Sequence, residues 1–266
     1  MAAYTLATPN TGKANVKHTR VLLDQIDLSG YSRQFGSLGV TYDTNDITGY
    51  SDGVHTFQLG RANHILSGYQ AVLDNTALLG SHIELSAREE YIASVCIGTT
   101  TPPEVGSQAW LTSMESISYD AQGGGSDAVL VSAELEKSIT NTDHSNPWGI
   151  VLSDGTSRTV TVDLGSCDNL VASTNGLIAN LHITASSGTT WTFDIEESSD
   201  NDDAGDPFVS IGTFVLDGSV IGSEQLIVTA AAGAVERYLR AAIVRVGGAG
   251  SVTAWITVAR NINLDA

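Results

Sequence analysis

Positive charge is scarce in this sequence: 12 lysines and arginines stand against 30 aspartates and glutamates in 266 residues, a formal net charge of −18. Adhesive nucleic-acid binding needs clustered Lys and Arg to displace counterions from phosphates, so the composition argues against it. The acidic excess has no tail to sit in, since 1–146 carries 7 basic and 16 acidic residues and 147–266 carries 5 and 14. Such a surface either keeps the protein soluble or lets DNA pass without sticking. Long apolar runs are also missing. None approaches the roughly 18 to 20 residues of a membrane span. The opening MAAYTLATPNTGKANVKH lacks the compact apolar core of a secretory signal, so the expected setting is a cytoplasm and no membrane.

The usual carriers of chemistry are equally sparse. The two cysteines, Cys96 and Cys167, form no CxxC pair and read as buried thiols. The six histidines, His18, His55, His64, His82, His144 and His182, are scattered without the i, i+4 spacing that gathers ligands on a metal. No GxSxG elbow, GxxxxGK[ST] phosphate loop, HExxH or strand-to-helix GxGxxG occurs. Glu89–Glu90 and Glu196–Glu197 are sequence neighbours and point to opposite faces of a strand, which is not how a glycosidase pairs its carboxylates. In DNDDAGD (200–206), Asp200, Asp202 and Gly205 fit a calcium loop, but Ala204 holds its fifth position and Ile211 its twelfth, where a bidentate Glu belongs. This segment reads as a solvated loop. No catalytic, cofactor-binding or metal-binding residue is assigned, and the expectation is a non-enzymatic protein without a cofactor.

What is present is a period of two. Val160, Val162 and Leu164 alternate with Thr159, Thr161 and Asp163, and Trp191, Phe193 and Ile195 with Thr192, Asp194 and Glu196. Near the end, Val252, Ala254, Ile256 and Val258 alternate with Thr253, Trp255 and Thr257, predicting one apolar face and one carrying Thr and Trp. Turn formers divide these strands at SDGTS (153–157), SSGTT (186–190) and GGAG (247–250). In the first half, a helix is expected within 62–84 beside a sheet. Ala109–Tyr119 and Val129–Glu136 read as a hairpin about AQGGGSD, with Val129, Val131, Ala133 and Leu135 on one face and Leu130, Ser132, Glu134 and Glu136 on the other. The fold class is all-β: a β-sandwich with a short helix, then a second β-sandwich. The expected organisation is an extended arm over 1–20, one domain over 21–140 and another over 141–266, divided at the polar TNTDHSNPW of 140–148.

The stretch 21–75, with Asp27, Leu28, Ser29 and Tyr31 followed by Gly60 and Gly68, resembles the opening of the tail tube (major tail) proteins of long-tailed phages. The hairpin at 113–138 is similar to that family's, through Val131, Ser132, Ala133 and Glu134. The second half resembles a β domain appended to such phage proteins, most distinctively at Tyr238, Leu239 and Arg240. In that motif Arg237 and Arg240 also read as plain surface charges beside an aromatic anchor. The acidic DNDDAGD insertion departs from the pattern.

The resemblance implies a virion protein assembled in the host cytoplasm. Its copies would form hexameric rings, or pseudo-hexameric trimers, that stack into a tube alongside tape measure, terminator and tip proteins. DNA would pass through without specific binding. On this reading Ser132, Glu134 and Glu136 face the lumen, and the arm and the Gly-rich loop make contacts between rings. Alternatives are another structural virion protein, such as a capsid decoration or tail-terminator protein, and a carbohydrate-binding or adhesin module using Trp191 or Trp255.

Overall fold

The computed structural model of the chain describes residues 16–48, 57–75, 80–87, 89–123, 128–137, 146–170, 172–201, 205–229 and 234–260. These are almost entirely strand. The first half holds β1 (Thr19–Leu23), β2 (Ile26–Asp27), β3 (Ser32–Gln34), β4 (Ser37–Asp46), β5 (Phe57–Val72), a helix α1 (Ser81–Ser86), β6 (Glu90–Ile97), β7 (Gln108–Gln122) and β8 (Leu130–Lys137). The second holds β9 (Trp148–Asp154), β10 (Val162–Asp163), β11 (Cys167–Asp168), β12 (Leu177–Ser187), β13 (Thr190–Ser198), β14 (Val209–Thr213), β15 (Gly222–Val228), β16 (Tyr238–Val246) and β17 (Ser251–Arg260). The all-β class expected from alternation is what forms, and α1 is the short helix.

In the first half one sheet curls about its own core. Val21 and Leu23 of β1, Tyr91 and Val95 of β6, Trp110 and Met114 of β7, Val131 and Leu135 of β8, and Leu66 and Tyr69 of β5 all enter one buried cluster, with Leu85 of α1. Strands at the two ends of a sheet share a core only if the sheet bends round it. In the second half two sheets face each other. Leu177, Leu181 and Ile183 of β12 and Val252, Ile256 and Val258 of β17 pack on Trp191, Phe193 and Ile195 of β13 and Leu239 and Ile243 of β16.

The two halves are continuous through β9. It pairs with β17 on one side and, through Trp148, Gly149 and Ile150, with Trp110, Ala109 and Gln108 of β7 on the other. Gly149 is required there, because a Cβ would lie 1.8 Å from the Val258 carbonyl oxygen. A third buried cluster, Leu22, Cys96, Ala109, Leu111, Val151, Ile178, Trp255 and Ala259, seals the outer face of β1, β6 and β7 against β12 and β17. The proposed division at 140/141 falls among residues outside those described, as do residues 1–15 of the expected arm. Thr19 and Arg20 of that arm already belong to β1, opposite Ile97 and Cys96.

Two local expectations are corrected. The helix sought within 62–84 is strand through Val72, and among the described residues there helix occurs over Ser81–Ser86. The cause is pairing across the sheet: Tyr69 to Val72 lie opposite Ala133 to Leu130 of β8, past a register shift between Leu66 and Tyr69 where Gly68 takes φ +61°. The bulge changes the parity of the strand, so Leu66 and Tyr69 face the same core three residues apart. The strand over 159–164 shrinks to Val162–Asp163, and Val160 is 60% exposed. The face of β17 that carries Thr and Trp forms as expected, and Trp255 and Thr257 on it are buried because the first half covers them.

Candidate functional site

The hairpin forms as the alternation predicts, with β7 and β8 antiparallel and Gln122 opposite Leu130. Val131, Ala133 and Leu135 are buried; Glu134 is exposed, and Ser132 and Glu136 are half-buried on the opposite face. Register then adds residues that sequence spacing did not bring together. Glu136 lies opposite Glu115 of β7, and Glu115 lies opposite Glu90 of β6, so three glutamates stand in line across three adjacent strands. Glu134 faces Ser118, and Ser132 lies between Asp120 of β7 and Gln70 of β5. Asn63 of β5 donates from its carboxamide to Glu136 at 3.4 Å. Directly opposed like charges on neighbouring strands repel one another.

This acidic face is the continuation of a covered one. Along β6, Ser94 and Cys96 share the face of Glu90, and along β7 Leu111 shares that of Glu115 by alternation. Where the second half covers them, Ser94, Asn180, His182 and Thr257 form a set of hydrogen bonds across the seam. Ser94 Oγ meets Thr257 Oγ1 at 2.9 Å and His182 Nε2 at 2.8 Å, and Asn180 donates to the Ala93 carbonyl at 2.9 Å. His182 Nδ1 meets the Asp24 carbonyl oxygen at 2.6 Å. The Asp24 carboxylate accepts from Ile92 N and Ser223 Oγ, both at 2.9 Å. Ser94 and His182 have the pairing of a nucleophile and its base, but both are fully buried and their remaining contacts are structural. Desolvation pulls the imidazole down to about 4 and holds it neutral. Burial also pushes Asp24 up, against its hydrogen bonds from Ile92 and Ser223.

The cysteines are buried free thiols, as expected. Desolvation raises both, Cys167 up to about 12. Arg240 is not a surface charge: it is buried, donates to Glu196 at 2.6 Å, approaches Asp163 at 3.6 Å and lies 4.2 Å from the centroid of Phe208. Arg237 grips Asp168 with Nε at 2.9 Å and Nη2 at 2.6 Å, and sits 5.0 Å from the ring centroid of Tyr238. The carboxylates of 196 and 197 part as predicted. Glu196 pairs with Arg240, while Glu197 is buried and accepts from Glu236 N at 2.7 Å.

Of the acidic loop, Asp206 accepts from Ser199 N at 2.8 Å, a bond that lowers its pKa; residues 202–204 lie outside those described. Among the described residues, no group of three or more His, Cys, Asp or Glu is placed to hold a metal, and no helix is long and apolar enough to cross a membrane. Trp191 and Trp255, the two suggested sugar platforms, are 0% and 4% exposed and cannot stack on a ligand; the exposed tryptophan is Trp148, at 39%.

No family model matches the chain, and no curated protein matches it. Among solved structures it is similar to the Dit (gp 19.1) protein of phage SPP1, described as a paradigm of the hub adsorption apparatus in phages infecting Gram-positive hosts. The identity is 11%, over 91% of this chain and 99% of that one, with a TM-score of 0.31. It is also similar to a chain of infectious bursal disease virus, Gx strain, at 9% identity over 90% of this chain and 55% of that one, with a TM-score of 0.25. Likenesses this slight carry nothing about what the chain does.

Proposed function

We propose that this chain is a structural, non-catalytic virion protein of a phage tail, whose copies assemble into rings that stack into the tail tube. The observation that carries the reading is the acidic sheet face: Glu90, Glu115 and Glu136 in line, with Glu134 and Asp120 beside them. A wall of carboxylates repels the phosphate backbone, which is what a conduit for DNA needs from its lining. Ser132, Glu134 and Glu136 are assigned to the lumen.

Ring closure has a physical motive in the sheet edges. Among the described residues β4 pairs only with β5, β14 only with β13 and β15 only with β12, so each leaves one side of its backbone without a strand partner. Pairing such edges between copies removes a liability and closes a continuous wall. In this arrangement 21–140 forms the ring, 141–266 packs on it, and the arm of 1–20 with the Gly-rich loop makes contacts between rings. Tape measure, terminator and tip proteins are the tail partners, and the resemblance to tail tube proteins at 21–75 and 113–138 supports the same assignment.

Negative-stain electron microscopy of the purified protein over a concentration series tests this. Stacked rings with a central hole are the expected result. Compact monomers or trimers at every concentration would favour a capsid decoration protein instead. A reconstruction with Glu134 and Glu136 on the outer wall would overturn the lumen assignment while leaving the tube intact.

A further inference from the structure

A cleft of about 220 Å³ opens where β7, β9 and β11 meet, toward the opposite end of β7 from the acidic face. Its lining includes Gln108, Trp148, Asp168, Asn169, Leu170 and Arg260. Three features set it apart. Trp148 is the exposed member of the four tryptophans. Leu170 is 72% exposed and sits at φ +69°, a region bulky side chains avoid, and its N–H is held by Asp168 Oδ1 at 2.8 Å. A strained backbone that presents an apolar side chain to solvent at the lip of a cleft is a reason to look for a ligand.

The third feature is Arg260. In a chain with so many carboxylates, Arg20 pairs with Asp27, Arg158 with Asp154, Arg237 with Asp168, and Arg240 with Glu196 and Asp163. Arg260, like Arg33 and Arg245, forms no ion pair with another described residue, and of these three it is the one that lines the cleft. Partial desolvation lowers its pKa, and Asp168, the acid nearest in influence, is already held by two hydrogen bonds from Arg237. A partly dehydrated guanidinium prefers a carboxylate in bidentate contact over water.

We propose that this cleft binds an acidic pyranose, a sugar ring bearing a carboxylate, with the ring's C–H face on the Trp148 indole and the carboxylate on Arg260. An indole offers an apolar plane to such a face. The carboxamides of Gln108 and Asn169 both donate and accept, as ring hydroxyls require. The volume suits a single ring, being below the roughly 300 Å³ at which pockets for drug-sized ligands begin.

The test is titration of the intact protein with galacturonate and, separately, with glucose and with a short aspartate-containing peptide, followed by tryptophan emission and by calorimetry. Trp110, Trp191 and Trp255 are buried, so a change in emission on binding reports Trp148. Saturable binding of galacturonate is expected with a Kd on the order of 1–10 mM, a value fitting so small a ligand. Glucose should bind roughly tenfold or more weakly, and Arg260→Gln should weaken galacturonate by a similar factor at an unchanged melting temperature. Trp148→Ala, read by calorimetry, should abolish measurable binding. Equal binding of glucose and galacturonate would overturn the carboxylate contact. Binding of an aspartate-containing peptide but of neither sugar would overturn the proposal in favour of an acidic protein partner. No saturable signal from any of the three would overturn the site altogether.

Discussion

β8 and β17 are both strands of clean alternating sequence, yet they lead different lives. In β8 the apolar face meets the core and the polar face meets solvent, and both sides are what the alternation says they are. In β17 the Val252, Ala254, Ile256 and Val258 face meets the sandwich core, but Trp255, Thr257 and Ala259 on the other face are buried too. The difference lies in the number of layers. β17 and β12 form a middle layer, with the five-stranded sheet on one side and the curled sheet of the first half on the other. Alternation reports burial faithfully only when one face of the sheet is wet.

The sharpest way to break the comparison is to remove a side chain from each tryptophan setting. Trp255→Ala should cost about 3–5 kcal/mol in urea unfolding, the range for truncating a packed aromatic, whereas Trp148→Ala, at a partly exposed ring, should cost roughly 1–2 kcal/mol. Similar costs for the two would mean that the second face of β17 is not a packed interface.

The next effect is one of pH. His182 ionises near 6.5 when unfolded and near 4 when folded, so between those values the unfolded chain takes up a proton that the folded chain refuses. Stability from this group is therefore complete above about pH 6.5 and falls as pH drops toward 4, by about 3 kcal/mol in all. Asp24 acts in the opposite sense, because its raised pKa makes the folded state bind its proton first as pH falls. Urea midpoints at pH 7, 5.5 and 4.5 should fall in that order, and His182→Leu should flatten the trend even if it lowers the starting stability. Ser94→Ala, which removes a shared partner of His182 and Thr257, should cost about 1–3 kcal/mol at pH 7.

The smallest effect sharpens the other side of the comparison. Glu115→Gln relieves opposition to both Glu90 and Glu136, and should raise stability by about 0.2–1 kcal/mol, less at high salt. The same change on a face held together by its charges would destabilise, and a lowered urea midpoint would show that.

The site was legible in proportion to how local its causes are. Ser132, Glu134 and Glu136 share a face because a pleated strand alternates, and no tertiary information is needed to say so. Glu115 and Glu90 join them only through register, and register depends on which strands pair and where β7 bulges between Ser116 and Ser118. That β5 runs as strand to Val72 depends on its pairing with Leu130 of β8, far away in sequence, and Arg240 gave no sign of burial because its partners Glu196 and Asp163 are 44 and 77 residues away in sequence.

By itself the sequence determined the all-β class, the hairpin with its two unlike faces, the paired sheets about Trp191, Phe193 and Ile195, and an acidic surface. These follow from side-chain period, turn chemistry and charge, which act over a few residues or over the whole composition. Only the tertiary structure decided that the halves are joined through β9, that Trp255 and Thr257 are interior while Trp148 is exposed, and that Ser94, Asn180 and His182 form a buried polar seam. Those outcomes depend on which sheet covers which, a matter settled by long-range packing between surfaces that each look complete when read along the chain.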